Sequence, residues 1–543
     1  MPRSIRPSDP VEADYIVVGA GSSGAIVASR LAEAGASVIL LEAGRKDDTR
    51  LVSIPGSIAL VHTVPPLKKR LTWKQYSVPQ KHAADRAIPM TRGKVLGGSS
   101  SVNGMLFVRG NRANYDSWAA EGCSGWSYAD VLPAFKRLEN WEDGASDLRG
   151  AGGPIEVTRQ RDLTPIAQQW LSAASETLGV PEIADYNGAS QEGVGVFQQS
   201  VRHGLRYSSA RGYLTDRPSP NLFVRTGTHV TRVVIEHGRA TGVEVIERGE
   251  RRIVRAAKEV VVSAGVMASP QLLMLSGIGP AAHLCELGLP VHADLPVGQN
   301  LHDHLFVPLT FVTAQARHRS IPSHMAAAMV RELATPGSTW FGRTLFELVG
   351  FAKTSFAEDI PDLQIHVLPW GYPSPNQDQD KLYTVDRRAA LTIFPTLIYP
   401  RSRGELRLAS LDPLASPLID PGYLTDPADT EFLIESIRII REIMANRSIA
   451  LDITEELTPG PDYRDESALR RELPSRVHSV YHPVGTCRMG IDERAVVDPQ
   501  LRVRGIEGLR VADASIMPSI TGGNTNAPSY MIGEKAAEFI LAS

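Results

Sequence analysis

The stretch Asp14-Tyr-Ile-Val-Val18, Gly19-Ala-Gly21-Ser22-Ser23-Gly24, Ala25–Ala34, Gly35, then Ser37–Leu41 closing on Glu42, decides how the rest of the chain is read. An unbroken apolar run predicts a buried strand, and the glycines that follow without a gap predict a tight turn. Helical spacing from Ala25 to Ala34 stops at Gly35, and a second buried strand follows. In that order the elements form a strand–turn–helix–strand unit whose helix N-terminus points free N–H groups at a pyrophosphate. Gly19, Gly21 and Gly24 allow the turn, close backbone approach to the phosphates, and close helix-on-strand packing. Ser22, Ser23 and Ala43 join them as contact candidates. Glu42, 18 residues beyond Gly24, sits where a carboxylate grips an adenosine ribose hydroxyl. The unit is a dinucleotide cradle that by itself does not separate NAD from FAD.

Working outward, 543 residues exceed one ordinary core and imply two or more domains. A net charge of −3 and 43% apolar residues describe a soluble globular chain without a nucleic-acid footprint. Cys123, Cys285 and Cys487 have neither disulfide nor metal-ligand spacing, which suits a reducing compartment. Met1–Ala13 lacks the apolar core of a secretory signal, and no apolar run is long enough for a bilayer. The expectation is a cytoplasmic protein with no membrane segment, no nucleic-acid partner and no metal.

A second glycine- and serine-rich loop runs Gly93-Lys-Val-Leu-Gly97-Gly98-Ser99-Ser100-Ser101-Val102-Asn103-Gly104-Met105, and Gly110 and Asp116 continue it. Gly265-Val-Met-Ala-Ser269-Pro270 leads to Ser276-Gly277-Ile278-Gly279. Gly298-Gln-Asn300-Leu-His302-Asp303-His304 and Tyr481-His482-Pro-Val-Gly485-Thr-Cys-Arg-Met-Gly490 follow. These dispersed motifs, in this order, resemble the GMC (glucose–methanol–choline) flavin oxidoreductases. The resemblance runs from Asp14 to Leu541, is least specific over about 306–395, and departs only mildly at Val266. It implies an α/β FAD-binding Rossmann-like domain and an α+β substrate domain with an antiparallel sheet. Residues 11–160, 221–304 and 485–543 fall to the first, and 161–220 and 305–484 to the second. It also implies that Gly98, Ser99, Asn103, Gly104 and Met105 lie against flavin and diphosphate, and that Val230 clasps the adenine through its backbone. Members with covalent FAD commonly carry a histidine just before the asparagine. Here that residue is Val102, which has no nucleophile, so the resemblance implies non-covalent FAD.

Between these motifs, Leu51–Pro89 is rich in proline and charge and reads as a long connection. Asn114–Leu138 has helical spacing, with Trp118 and Trp126 assigned to the core. Strand-like runs Asp362–Leu368, Ala390–Tyr399 and Gly404–Ala409 and a helix over Asp429–Ala445 describe the substrate side. Trp340, Phe341, Phe346, Phe351, Trp370 and Tyr372 are the apolar-pocket candidates. Trp370 and Tyr372 are preferred because Pro369 and Gly371 mark a loop, where contact residues concentrate, and Tyr481 joins them. His302 and His304 flank Asp303 without tetrahedral metal spacing, so a structural hydrogen-bonding role is expected.

Oxidising an alcohol with a flavin requires the hydroxyl proton to leave while a hydride passes from the α-carbon to the flavin N5. Neutral histidine is the base suited to neutral pH. His482, in the family's motif, is the expected base. Asn524, 42 residues on, is expected to hold the alcohol oxygen at a position where members carry histidine or asparagine. Asp513 closes the strand Leu509–Ala512 and is placed to accept a hydrogen bond from the ribityl chain, with Ala514 beside it. The final helix, with Pro528 at its first position and Asn526 or Ala527 as cap, would aim its positive end at the flavin pyrimidine edge. The expected function is FAD-dependent oxidation of a primary alcohol, aromatic or furanic, by an oxidase using O2. The alternatives are a choline-type or other alcohol dehydrogenase using another electron acceptor, and an FAD-containing hydroxynitrile lyase.

Overall fold

In the computed structural model, which describes residues 10–315, 319, 321–372 and 386–543, the opening apolar runs form β1 (Glu12–Val18), α1 (Gly24–Glu33) and β2 (Val38–Glu42). A long excursion contributes β3 (Gly193–Val196) before β4 (Leu222–Thr226), β5 (Thr228–Glu236), β6 (Arg239–Glu247) and β7 (Glu250–Val262). The later chain adds β8 (Leu305–Phe306), β9 (Leu309–Thr313), β10 (Leu348–Ala352), β11 (Leu363–Leu368) and β12 (Ala390–Leu397). Helix α2 (Pro427–Met444), β13 (Ile453–Thr458), β14 (His478–Ser479), β15 (Leu509–Val511) and α3 (Asn526–Leu541) complete it.

The first sheet has seven strands in the order β4-β2-β1-β7-β6-β5, with β15 added alongside β7. β4, β2, β1, β7 and β15 are parallel, and β6 and β5 extend the sheet antiparallel. Val38–Glu42 is buried throughout, as expected of a parallel strand covered on both faces. Helices α1 and α3 pack together so closely that a Cβ on Gly533 would lie 2.8 Å from the Ser23 carbonyl oxygen. Arg30 on α1 pairs with the buried Glu534 on α3 at 2.8 Å.

The second sheet has eight antiparallel strands, β13-β9-β12-β11-β10-β3, with β8 pairing both β12 and β14. Amphipathic α2 packs on β12, its start fixed by Asp426, whose side chain accepts the Ala428 N–H at 2.9 Å. On β11, Leu363, Ile365 and Val367 enter the core with the apolar face of α2. Strand alternation therefore turns Gln364, His366 and Leu368 to the opposite face.

Several expectations change in detail. Residues Arg50–Leu71 hold short helices rather than a plain connection, with Pro55 and Pro65 at first helical positions where a missing N–H is tolerated. The helical pattern over Asn114–Leu138 is two helices, Arg112–Ala120 and Tyr128–Leu138, parted at Gly122 and Gly125. Asn111 and Ser127 each close a capping box at their starts. Trp118 and Trp126 are fully buried. Helix α3 begins at Asn526 with Thr525 as cap, so Pro528 is its third residue. Its missing N–H is still one of the first-turn groups without an intrahelical acceptor. Among the described residues no helix is long and apolar enough to cross a membrane.

Candidate active site

A cavity of about 580 Å³ runs from the glycine turn after β1 to His482 and Asn524. At the turn, Gly19 has φ +95°, and a Cβ there would come 2.5 Å from the Ser263 carbonyl oxygen. A Cβ on Gly21 would meet nothing within 4 Å, so open space lies beside it. The Glu42 carboxylate, at the end of β2, accepts the Ala20 and Gly44 N–H groups at 2.9 and 2.7 Å. Burial pushes its pKa up to about 7. Ser22, Ser23, Ala43 and Val230 also line this end. Gly24 and Ala527 do not. Gly24 is wedged against Gly19 and Ser263, and Ala527 faces the core.

The second glycine loop folds over the first, with a Cβ on Gly98 only 2.8 Å from Gly21 Cα. It brings Gly98, Ser99, Asn103, Gly104 and Met105 to the wall. Asn103 Oδ1 accepts from the Met105 N–H at 3.0 Å and from Arg206 at 2.8 Å, which leaves its amide nitrogen for the cavity side. Arg206 also donates to the Ser100 and Asn103 carbonyls, and burial pushes its pKa down to about 10. Asp513, Ala514 and Asn526 close the wall. The oxygens of Asp513 already hold the Gly265 N–H, the Ser269 hydroxyl and the Ser515 N–H at 2.8, 2.6 and 2.8 Å. Asp513 therefore also ties the segment that follows β7 to the turn after β15. Two glycine turns open to the cavity, a helix N-terminus and a buried carboxylate at a strand end fit a dinucleotide such as FAD.

At the other end, β8 pairs with β14 and the chain then turns sharply at Tyr481, whose φ is +64°. Ser479 Oγ accepts the Tyr481 N–H at 2.8 Å, and Arg92 donates to its carbonyl at 2.7 Å. Asp303 is fully buried and accepts the His482 backbone N–H at 2.8 Å. It also accepts the Tyr423 and Ser479 hydroxyls at 2.8 and 2.5 Å. The His482 ring lies with Nε2 3.2 Å from Asn524 Nδ2 and Nδ1 3.1 Å from His304 Nδ1. Asn524 Oδ1 accepts from Gln364 Nε2 at 3.0 Å. Burial, then the neighbouring His304, His366 and Arg92, push the His482 pKa well down, so the imidazole is neutral at neutral pH.

Beyond this pair the wall is aromatic. His366 packs on Phe346 (5.8 Å between centroids), Phe346 on Phe394 (5.8 Å), and Phe394 on Phe306 (4.7 Å) and Tyr372 (5.2 Å). Trp370, Tyr372 and Tyr481 line the cavity, as does Phe346. Trp340 stands behind Trp370 at 5.4 Å, while Phe351 packs in a separate cluster with Tyr186 and Phe197. Phe341 is buried against Trp340, away from the cavity wall. Among the described residues the wall's carboxylates are Glu42 and Asp513, both at the glycine-turn end. Sequence reasoning missed Gln364, His366, Phe306, Phe394 and the His304 contact. One signal was present for two of them: Gln364 and His366 recur at alternate positions of an otherwise apolar strand.

Models of the family described as GMC oxidoreductase match residues 13–306 and 400–533. An alcohol dehydrogenase (acceptor) of Pseudomonas putida is 41% identical over 97% of this chain and 95% of its own length. An oxygen-dependent choline dehydrogenase of Sinorhizobium medicae is 40% identical over 98% and 96%. Among solved structures, pyridoxine 4-oxidase from Mesorbium loti superposes with a TM-score of 0.86 at 27% identity, covering 98% of this chain and 99% of that one. A fungal aryl-alcohol oxidase gives 0.81 at 25% identity, with the same coverage.

Proposed function

This chain belongs to the GMC oxidoreductase family and is an FAD-dependent alcohol oxidoreductase, and from that premise we propose that it oxidises uncharged primary alcohols carrying an aromatic or furanic group. The observation that carries this reading is the wall beside His482 and Asn524. It is built from Phe306, Phe346, Trp370 and Phe394 and has no carboxylate among its described residues.

FAD, when bound, accepts the hydride released from the alcohol carbon. His482 Nε2, neutral and facing the cavity, takes the hydroxyl proton, and general-base help of this kind is worth roughly 100- to 10,000-fold. Asn524 Nδ2 donates to the alcohol oxygen from the position where it now meets Nε2. The rings exclude water from the reacting carbon and stack against the substrate. We assign the diphosphate to the α1 N-terminus and the Gly98–Gly104 loop, and the ribose to Glu42. Held this way, and with Val102, which has no nucleophile, just before Asn103 in that loop, the cofactor is bound non-covalently. Residues 11–160, 221–304 and 485–543 then form its domain.

A choline-type substrate is the second reading, favoured by the choline dehydrogenases among the relatives. The same rings would hold a quaternary ammonium by cation–π attraction. Anaerobic titration with benzyl alcohol, hydroxymethylfurfural and choline separates the two. Bleaching of the flavin by the aromatic alcohols at far lower concentration supports the first reading, and preference for choline overturns it. No bleaching by any alcohol would leave the lyase reading. Admitting air and measuring peroxide then distinguishes O2 from another acceptor.

A further inference from the structure

We propose that His304 is a positioning residue that fixes the tautomer of His482, at the end of a hydrogen-bond relay running Gln364–Asn524–His482–His304. The direction of the relay follows from its first member. The Gln364 side-chain amide donates to Asn524 Oδ1 at 3.0 Å, which turns the Asn524 NH2 group toward His482. That NH2 can only donate, so His482 Nε2, 3.2 Å away, offers its lone pair. A neutral imidazole with a free Nε2 carries its proton on Nδ1. Nδ1 lies 3.1 Å from His304 Nδ1, which therefore accepts and leaves the His304 proton on Nε2.

The pair is rigid. The two rings stand at 90° with centroids 5.2 Å apart, and His304 is 0% exposed. The His304 backbone carbonyl accepts the Val480 N–H at 3.1 Å, tying it to the segment that carries His482. Among the described residues, few charged or titratable groups face the pair. Arg92 and His366 face His482, and His302 and His366 face His304. Asp303 is spent on the His482 backbone N–H and two hydroxyls, so among the described residues no carboxylate bonds the His482 ring.

The consequence is specific. When the alcohol O–H bond breaks and an Nε2–H bond forms, the Nδ1 proton stays in place, held by a neutral acceptor. Loss of that acceptor lets the proton sit on Nε2 instead, the form that cannot take another from the cavity side. A carboxylate at 304 would keep the tautomer but stabilise the imidazolium and raise the basicity of His482.

The test rests on His482 being the base and uses FAD-loaded His304→Leu, His304→Asn and His304→Asp, with flavin reduction by benzyl alcohol followed anaerobically across pH. The leucine variant is expected to keep its FAD and lose about 100-fold or more in reduction rate. The asparagine variant, whose amide oxygen can accept from Nδ1, should recover to within about tenfold of the parent. The aspartate variant should move the acid limb of the rate profile upward by about one pH unit or more. A leucine variant within about threefold of the parent, an asparagine variant no better than leucine, or an unmoved limb in the aspartate variant each overturns the proposal. If the leucine variant does not fold, the asparagine rate and the aspartate limb decide it. A fast His482→Ala would bring down the base assignment itself. A slow His482→Ala with unaltered His304 variants would remove the relay alone.

Discussion

The glycine-turn end of the cavity is shaped chiefly by two backbone turns, whereas the His482 end is assembled from side chains. At the first, turns at Gly19–Gly24 and Gly97–Gly104 bring main chain to the wall within two short stretches. At the second, Asp303 and His304, Gln364 and His366, His482 and Asn524 meet from four distant stretches. On the proposed assignment, the difference teaches that holding the cofactor and reacting with its substrate are separable, so that each should be open to damage alone.

The strongest way to break that separation is His482→Ala. Flavin reduction should slow roughly 100- to 10,000-fold while FAD content stays at the parent level, as read by stopped-flow and by the absorbance ratio of flavin to protein. Joint loss of flavin and turnover would show that the two ends are one unit. The converse is Gly24→Val, where a side chain has no room between Gly19 and Ser263. It should cut FAD content about tenfold or more, as expected when close helix-on-strand packing at the phosphate turn is lost. Phe394→Ala sharpens the picture at the far wall. Losing its buried ring should raise KM for aromatic alcohols about tenfold or more with a smaller change in kcat, in steady-state assays.

The smallest effect per residue concerns acid. Burial holds His302, His304 and His478 down at about 3 and His366 at about 4, whereas unfolded histidine titrates near 6.5. The unfolded chain thus binds more protons below about pH 6.5, so stability falls as pH drops from there toward about 4. At pH 5 the cost is about 2 kcal/mol per such histidine, an upper figure since buried groups relax. Thermal melts at pH 7, 6 and 5 should fall in that order. Flat melts would contradict it.

The contrast between the two ends also explains what was legible in the sequence. Asp14–Glu42 announces itself because strand, turn, helix and acid are contiguous, and local spacing dictates their geometry. His482 and Asn524 were found only through a family motif. The partners that give them direction were not visible, because β8, β11 and the tail meet only after the second sheet forms. His304 was expected to be structural, and its bond to His482 depends on the β8–β14 register, which pairs Phe306 with His478. Phe394 lies in a run that reads as an ordinary strand, and only the sheet shows that its ring meets Phe306.

The packing of α1 against α3 has a consequence for biosynthesis. Ser22 donates to Asn526 Oδ1 at 2.8 Å across 504 residues, and Ser23 donates to the Ser529 carbonyl at 2.7 Å across 506. The turn after β1 thus acquires these neighbours only once a stretch about 500 residues further along the chain has been made. Ribosome-stalled chains ending before residue 500, which lack both contacts, should therefore capture no flavin.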